Sequence, residues 1–243
     1  MFMDCDYNSI NMRLENTRQK DHKEILFTCC FLCAFVVIKD LFMVEMNNIP
    51  DWEEKYSAED VESMPWFYPR LDPDFDKILD KLELVSRKAL DVGSGPGTQA
   101  IALAERGFEV TATDISYAAI EKARLKTSKM GLDISFIQDD ILDSKLNNRF
   151  DIAFDRGCFH VFTPEKMKLY VRTLNTLIKD KGYLILKCYS HLEFDVIGPY
   201  CFRPDEIEYC FNSKFEVLSI RNTVYYGTLN PSPKALICQL RKI

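Results

Sequence analysis

The sequence predicts an α/β fold in which a mostly parallel sheet carries helices on both faces. Strand-like and helix-like patterns alternate along most of the chain, as is typical of parallel sheets. Of the 243 residues, 47% are hydrophobic and 28% are charged, which are ordinary values for a globular domain. Residues 50–243 suffice for one domain with a substantial core.

The first predicted strand runs into a turn with glycines at alternate positions. The apolar run 89–92 contains Asp91, a helix-compatible stretch follows at 99–106, and the turn between them holds Gly93, Ser94, Gly95 and Gly97. Glycine lets the backbone adopt a positive φ and approach a ligand closely. A dinucleotide-binding Gly-x-Gly-x-x-Gly turn fits only as a variant counted from Gly95, with alanine in the last place. The negative charge of Asp91 would repel a pyrophosphate, whereas it would attract a cationic ligand.

The second predicted strand, residues 108–113, ends in Asp114, which lies 21 residues after Gly93. An acidic side chain about 20 residues beyond such a turn can accept hydrogen bonds from ribose hydroxyls. The alternative role for Asp114 is to cap the helical stretch 117–129. Ser116 can supply that cap alone, so we expect Asp114 to be free for the ligand.

This order of acidic residues and glycines resembles motif I of the class I S-adenosylmethionine-dependent methyltransferases. In that family the glycine turn lies under the methionine part of the cofactor, which carries an ammonium and a sulfonium. The resemblance implies S-adenosylmethionine as the cofactor, with contacts from Asp91, Gly93, Ser94, Gly95, Gly97, Asp114 and Ile115.

The third predicted strand, residues 134–138, runs into Asp139, Asp140 and Ile141. This sequence resembles motif III of the same family, in which an acidic residue receives the adenine amino group. The resemblance assigns that role to Asp140, with Ile141 beside it, although Asp139 stands where glycine is more usual. The alternative is a solvated loop of two adjacent carboxylates.

The fourth predicted strand ends at Asp155, and ligands of open α/β sheets bind beyond such carboxyl ends. Residues 155–160, Asp-Arg-Gly-Cys-Phe-His, resemble the thiopurine S-methyltransferase-like and tellurite-resistance-like branch of the family. The Asn/Asp-Pro-Pro-Tyr sequence of members that methylate DNA bases and protein amides is missing, which argues against those substrates. The resemblance implies Asp155 at the cofactor, and Asp155 and His160 are the catalytic candidates. Alternatively, His160 hydrogen-bonds a loop carbonyl, and we expect Cys158 to have a packing role.

A leader at residues 49–85 adds to the resemblance, because Trp52-x-x-x-Tyr56 and Pro65-Trp66 occur in the same branch before the first strand. There the segment folds over the cofactor, which implies that Trp66 packs near its methionine portion. An aromatic face attracts a cation by about 0.5–2 kcal/mol. The alternative is a cluster of core aromatics that anchors a leading helix.

The remaining pattern completes the core, residues 86–243. It predicts helices at 71–84 and from Thr163-Pro164 and Arg203-Pro204, a fifth strand at 182–187, and late strands at 215–220 and 235–240. The resemblance implies a Rossmann-like sheet of about seven strands with an antiparallel last strand, a trait that dinucleotide folds lack.

Residues 1–48 form an extension whose apolar segment spans 25–44. Its most apolar part, 25–38, is shorter than the roughly 20 residues that span a bilayer, and extension to 44 includes Lys39 and Asp40. A membrane anchor, a buried extra helix and translation upstream of Met43 or Met46 remain open. We favour the last and expect the domain to begin at 49.

The net charge of −6 argues against nucleic acid, whose phosphates are bound by Lys and Arg. The nine cysteines show no framework spacing, which favours reduced thiols in the cytoplasm. A Cys-x-x-Cys at 30–33 has no second ligand pair, so we predict no metal. We expect a monomer or weak dimer that acts on a small molecule, and membrane contact only through 25–44.

These observations predict methyl transfer from S-adenosylmethionine to a small acceptor, such as a sulfur, selenium or tellurium nucleophile. One alternative is an NAD(P)-dependent oxidoreductase, which shares the glycine turn and Asp114 but leaves Asp91 unexplained. The other is a non-catalytic protein that binds S-adenosylmethionine.

Overall fold

The computed structural model describes residues 50–243 except 83, 85, 86, 133, 148 and 194–198. The expectations for residues 1–48, including the apolar segment 25–44, lie outside the described residues. Residues Asn48–Ile243 cluster as one compact unit. Within the described part of the chain, no helix is long and apolar enough to cross a bilayer.

Seven strands form one sheet. They are β1 (Lys88–Val92), β2 (Glu109–Asp114), β3 (Ile134–Gln138), β4 (Phe150–Arg156), β5 (Ile178–Tyr189), β6 (Phe215–Val224) and β7 (Lys234–Lys242). The spatial order is β3-β2-β1-β4-β5-β7-β6. Strands β1 to β5 pair in parallel, whereas β7 is antiparallel to both β5 and β6. The predicted mostly parallel sheet with an antiparallel last strand is confirmed.

Six α-helices surround this sheet in the described residues. They are α1 (Trp52–Ala58), α2 (Pro73–Leu79), α3 (Thr98–Glu105), α4 (Tyr117–Ser128), α5 (Pro164–Leu177) and α6 (Pro204–Phe211). Short 3₁₀ turns lie at Val61–Ser63 and Phe159–Val161. Side chains of α2, α3 and α4 share one core cluster, and those of α5 and α6 share another. The prediction of helices on both faces is therefore confirmed.

The alternation of β1 explains how the two clusters are separated. Ala89 packs in the cluster that contains Phe75, and Leu90 packs in the cluster that contains Tyr170. Successive side chains of a strand point to opposite faces, so the apolar residues of one buried strand serve both cores.

Several predicted boundaries were wrong, among them those of the leading helix and of the fifth strand. The leading helix predicted at 71–84 is α2, Pro73–Leu79, because Asp72 caps its first turn by accepting from the Asp74 N–H and Pro73 occupies the first helical position. The fifth strand begins at Ile178 rather than at 182, since Ile178 already pairs with Phe150 ahead of an irregularity in the register.

Candidate functional site

The glycine turn lies at the carboxyl end of β1, where the pattern predicted it. Gly93, Gly95 and Gly97 all adopt left-handed φ angles, of 62°, 51° and 78°. The Ser94 N–H donates to the Thr113 carbonyl at 2.8 Å, which ties the turn to the end of β2. A Cβ added at Gly95 would lie 2.7 Å from the Tyr56 hydroxyl oxygen. The turn therefore needs glycine both for its backbone conformation and for the close approach of the leader.

Asp91 is a buried carboxylate beside this turn. A hydrogen bond from the Ala100 N–H reaches it, but among the described residues no donor reaches its Oδ2 atom. Burial, with the nearby charge of Asp155, raises the pKa of Asp91 to about 8. Ser94 Oγ is likewise buried without a described partner. Since buried polar atoms are normally paired, these two orphaned oxygens indicate a place for a ligand donor.

Asp114 ends β2 as predicted, but its carboxylate is not free. Oδ2 accepts from the Gly95 N–H at 2.7 Å, and Oδ1 accepts from the Ser116 N–H at 2.9 Å. Ser116 does cap α4, with its Oγ accepting from the Ala119 N–H. Ser116 therefore supplies the cap as expected, while a short Asx-type bond and the glycine turn each use part of the Asp114 carboxylate, so its availability to a ligand stays a prediction. The Ile115 N–H also bonds this carboxylate, and the acceptor position that remains can receive a ribose hydroxyl.

The end of β3 places its two adjacent carboxylates differently. Asp140 is exposed, and its Oδ1 accepts from the Leu142 N–H at 2.9 Å. Asp139 Oδ1 accepts from the Lys145 N–H, whereas its Oδ2 is buried without a described partner. The side chain of Ile141 packs into the hydrophobic core, so only its backbone can face a ligand, while the side chain of Ile115 is half-exposed.

Asp155 organises the loop that follows β4. Its two oxygens accept from the backbone N–H groups of Gly157, Cys158 and Phe159 at 2.7–2.9 Å and from the Tyr170 hydroxyl at 2.6 Å. Burial raises its pKa to about 6. The structure thus uses this carboxylate to shape the loop, and it does not line the pocket described below.

His160 lies behind the same loop, buried between two tyrosine rings. Its ring stacks on that of Tyr189 with centroids 4.6 Å apart and meets the edge of Tyr225. Its Nδ1 accepts from the Tyr189 N–H at 3.2 Å, so the proton of the neutral ring resides on Nε2. Burial lowers the pKa of His160 to about 3. The ring therefore stays neutral and carries a donor, rather than an acceptor, on its other nitrogen.

The leader covers the glycine turn. Helix α1 is fixed to the start of α4, because Glu53 accepts from the Ser116 hydroxyl at 2.7 Å and from the Ala118 N–H. The rings of Trp52 and Trp66 meet edge to face at 5.8 Å. A pocket opens between the leader and the turn, and its lining includes Tyr56, Trp66, Phe67, Asp91, Gly93, Ser94, Gly95 and Arg156.

Sequence reasoning gave no role to Glu53 or Lys187, whereas Arg156 belongs to the predicted segment 155–160. Glu53, which anchors the leader, sits next to Trp52 with no pattern to mark it. Lys187 was passed over although it ends a predicted apolar strand, and a charge at the end of such a strand was the available signal.

The pocket suits the cofactor that the motifs imply. The orphaned Asp91 Oδ2 offers an acceptor for an ammonium, the glycines leave room for the ligand chain, and Trp66 offers a ring to a cation. Nearby, Asp114 and Asp140 lie at the ends of the next two strands.

Comparisons with known proteins identify the family of this chain. Residues 89–182 match the family described as "Methyltransferase domain". A "Probable thiol methyltransferase 2" of Arabidopsis thaliana is 28% identical over 151 residues, which cover 60% of this chain and 66% of that protein. An uncharacterized methyltransferase of Schizosaccharomyces pombe is 33% identical over 115 residues, which cover 46% of this chain and 78% of that protein. The chain thus spans just under two thirds of the plant relative's length.

A solved structure titled "Conversion of a Disulfide Bond into a Thioacetal Group during Echinomycin Biosynthesis" shares the fold. It aligns with a TM-score of 0.68 at 24% identity, over 79% of this chain and 91% of that one. Motifs, sheet order and relatives agree, and the chain belongs to the class I S-adenosylmethionine-dependent methyltransferases, in the thiopurine S-methyltransferase-like branch.

Proposed function

We propose that this protein transfers the methyl group of S-adenosylmethionine to a small sulfur acceptor that reacts as its thiolate. The observation that carries the proposal is the buried, orphaned Oδ2 of Asp91 in a pocket that Trp66 also lines. A carboxylate without a counter-charge is costly in a dry site, and a bound ammonium removes that cost. The resident cofactor supplies both this cation and an activated methyl group.

The other cofactor contacts follow from the strand ends. We propose that Asp114 accepts from the ribose with the acceptor capacity left by Gly95, Ile115 and Ser116. Asp140, whose carboxylate is exposed, accepts from the adenine amino group, beside the side chain of Ile115 and the backbone of Ile141. Asp155 and His160 act through the loop between them, which forms a wall of the acceptor site.

The preference for an ionised acceptor follows from the groups around this loop. His160 has its Nδ1 engaged and its Nε2 protonated, and all the described bonds of Asp155 go to the loop and Tyr170. Burial raises the pKa of Tyr56 and also raises that of Tyr189, to about 12. None of these four groups offers a free base at neutral pH. A thiol with a low pKa needs none, and the plant relative is named a thiol methyltransferase.

The protein then contributes orientation and exclusion of water. The leader shields the glycine turn, and the loop after β4 fixes the direction from which an acceptor approaches the methyl group. When bound, S-adenosylmethionine would supply the methyl group: the acceptor sulfur would bond to the methyl carbon as the bond from that carbon to the sulfonium sulfur breaks, and neutral S-adenosylhomocysteine would leave. Orientation of the reactants alone can supply about 7–11 kcal/mol.

We also propose a cytoplasmic protein that acts as a monomer or weak dimer. All five cysteines in the described part of the chain are free, which fits a reducing compartment. The two alternatives make different predictions. An oxidoreductase leaves both Asp91 and the reversed β7 unexplained, whereas a non-catalytic relative would bind S-adenosylmethionine without turnover.

Two measurements test the proposal. Calorimetric titration with S-adenosylhomocysteine and, separately, with NAD should show binding of the first alone, and binding of NAD alone would exclude the methyltransferase. Methyl release should then be measured with thiols, selenols, amines and phenols. We expect the fastest transfer to the thiols of lowest pKa, and binding without transfer to any of them would favour the non-catalytic alternative.

A further inference from the structure

A buried ionic cluster lies next to the pocket and plays no part in the proposed chemistry. The ammonium of Lys187, which has no exposed surface, contacts Asp72 Oδ1 at 2.8 Å, Asp72 Oδ2 at 2.9 Å and Asp74 Oδ2 at 2.7 Å. Arg156 Nε lies 2.8 Å from Asp72 Oδ2, and the Thr223 hydroxyl donates to Asp74. The charges of the two carboxylates, Asp72 and Asp74, thus cancel the charges of the two cations, Lys187 and Arg156, within one buried cluster.

Arg156 connects this cluster to two segments that are distant in the sequence. Its Nη1 donates to the Trp66 carbonyl in the leader at 2.9 Å, and its Nη2 donates to the Tyr226 carbonyl in the turn between β6 and β7. One guanidinium therefore holds the leader and this turn together while Asp72 fixes its orientation. Arginine suits this role, because its planar guanidinium points several donors in fixed directions, whereas lysine has only a single ammonium.

The turn between β6 and β7 also contacts the leader directly through its backbone. This contact between the turn and the leader, at Pro65 and Gly227, is called the joint below. The Thr228 N–H donates to the Pro65 carbonyl at 3.1 Å. A Cβ added at Gly227 would overlap that carbonyl, so no other residue fits there without displacing the leader. The backbone segments thus meet at van der Waals distance directly beside Trp66.

We propose that Arg156 is a positioning residue, which couples closure of the leader over the cofactor to the placement of the β6–β7 turn. Its charge is balanced within the cluster, where Asp72 and Asp74 offset Arg156 and Lys187, rather than by a ligand. The inference rests on the proposed function, since the cofactor is what the leader closes over. It assigns Lys187 and Asp72, which do not line the pocket, to the assembly of the acceptor site.

Buried charges explain why the cluster can act as one unit. Removal of one partner from a buried ion pair leaves an uncompensated charge, so each member holds the others in place. Arg156 also lines the pocket. Direct contact between its guanidinium and the acceptor is therefore the competing explanation that an experiment must exclude.

The chain offers a direct readout of the leader, because both of its tryptophans, Trp52 and Trp66, lie there. Acrylamide quenching of tryptophan fluorescence, measured in the presence of S-adenosylhomocysteine and well below the melting temperature, reports leader closure without any turnover. We expect R156K to increase quenching and to lower kcat/KM for the thiol by about tenfold or more, since two charge-assisted hydrogen bonds are lost. R241K is the matched control, because Arg241 pairs with Glu216 on the surface of the same sheet.

A second variant alters the contact between the leader and the β6–β7 turn without changing any residue of the ionic cluster. G227A should give the same rise in quenching, and the double variant R156K/G227A should exceed either single variant only slightly, since both open one joint. Parental quenching in R156K together with a raised KM for the thiol would overturn the proposal and assign Arg156 to the acceptor. Unchanged quenching in G227A would overturn it as well. Quenching does not depend on methyl transfer, so failure of the proposed function would be seen separately.

Discussion

The carboxylate of Asp114 accepts a hydrogen bond from the backbone N–H of Gly95, with Oδ2 and N 2.7 Å apart. This bond joins the end of β2 to the middle of the glycine turn, on the side where the leader approaches. Asp114 consequently has two roles in the proposed site. It holds the turn in its ligand-ready conformation, and it presents its remaining lone pairs to the ribose.

The variant Asp114→Ala should lose both contributions. Hydrogen bonds to a charged group are worth about 1.5–3 kcal/mol each, so we expect affinity for S-adenosylhomocysteine to fall at least tenfold. Calorimetric titration measures this loss. Glu109→Ala is the control, because Glu109 is an exposed residue at the opposite end of β2. Equal affinities of Asp114→Ala and the parent would contradict the ribose assignment.

Substitution of Asp91 by asparagine separates stability from binding. Asp91 titrates near pH 8 in the folded protein and near pH 4 when unfolded, so the folded state holds the proton more tightly between these values. The parent therefore loses stability as the pH rises from about 4 to 8, and Asp91→Asn removes that loss. We expect the variant to melt at a higher temperature than the parent at pH 8 and to bind S-adenosylhomocysteine more weakly. A lower melting temperature at pH 8 would mean that the buried charge is compensated in the free protein.

Cofactor binding should depend on pH through the same group. The ammonium of the ligand favours ionised Asp91, so binding lowers its pKa and releases a proton wherever the free protein is protonated. Affinity should increase with pH up to about 8 and then level off. Calorimetry at pH 7 in buffers of different ionisation enthalpy counts the released protons. A pH-independent affinity in this range, or the same proton release from Asp91→Asn, would show that Asp91 does not titrate on binding.

The ring of Trp66 should distinguish the charged cofactor from its neutral by-product. If the ring packs on the sulfonium side, Trp66→Ala weakens S-adenosylmethionine more than S-adenosylhomocysteine, by about 0.5–2 kcal/mol. Competitive binding of the two ligands to the same variant measures the difference. Trp52→Ala is the comparison, because Trp52 contacts the Trp66 ring but is not among the pocket residues. Equal losses for both ligands would leave Trp66 a packing role alone.

Much of the site was predictable because its signals are local in the sequence. Asp91 and the glycines belong to one short strand–turn–helix segment, and Asp114 ends the next strand. What was not predictable depends on contacts across long separations. Glu53 reaches Ser116 across 63 positions, and Lys187 reaches Asp72 across 115. No local periodicity encodes such pairings, since the neighbours of one partner in the sequence do not identify the other.

In the loop after β4, the sequence predicted where two residues lie but not which groups their side chains contact. The pattern placed Asp155 and His160 at the end of a strand, and both lie there. Sequence alone could not show that the Asp155 carboxylate turns back to accept three N–H groups of its own loop. That choice depends on burial, because water no longer competes for the carboxylate once α5 covers it.

The last prediction concerns His160 and the ionisation of the acceptor. A general base typically contributes about 10²–10⁴-fold in rate. With its pKa lowered to about 3 and its Nδ1 engaged by the Tyr189 N–H, His160 is a poor base at neutral pH. We therefore expect His160→Ala to lose much less than a hundredfold in kcat with a thiol of low pKa, and the parent to show no inflection of kcat near pH 6.5, the ordinary pKa of histidine. Tyr189→Phe is the control, because it keeps the backbone donor and the stacked ring. The rates should be compared for two thiols of different pKa across a pH series. If His160→Ala slows the thiol of high pKa far more than the thiol of low pKa, then His160 removes the proton and the acceptor does not arrive ionised.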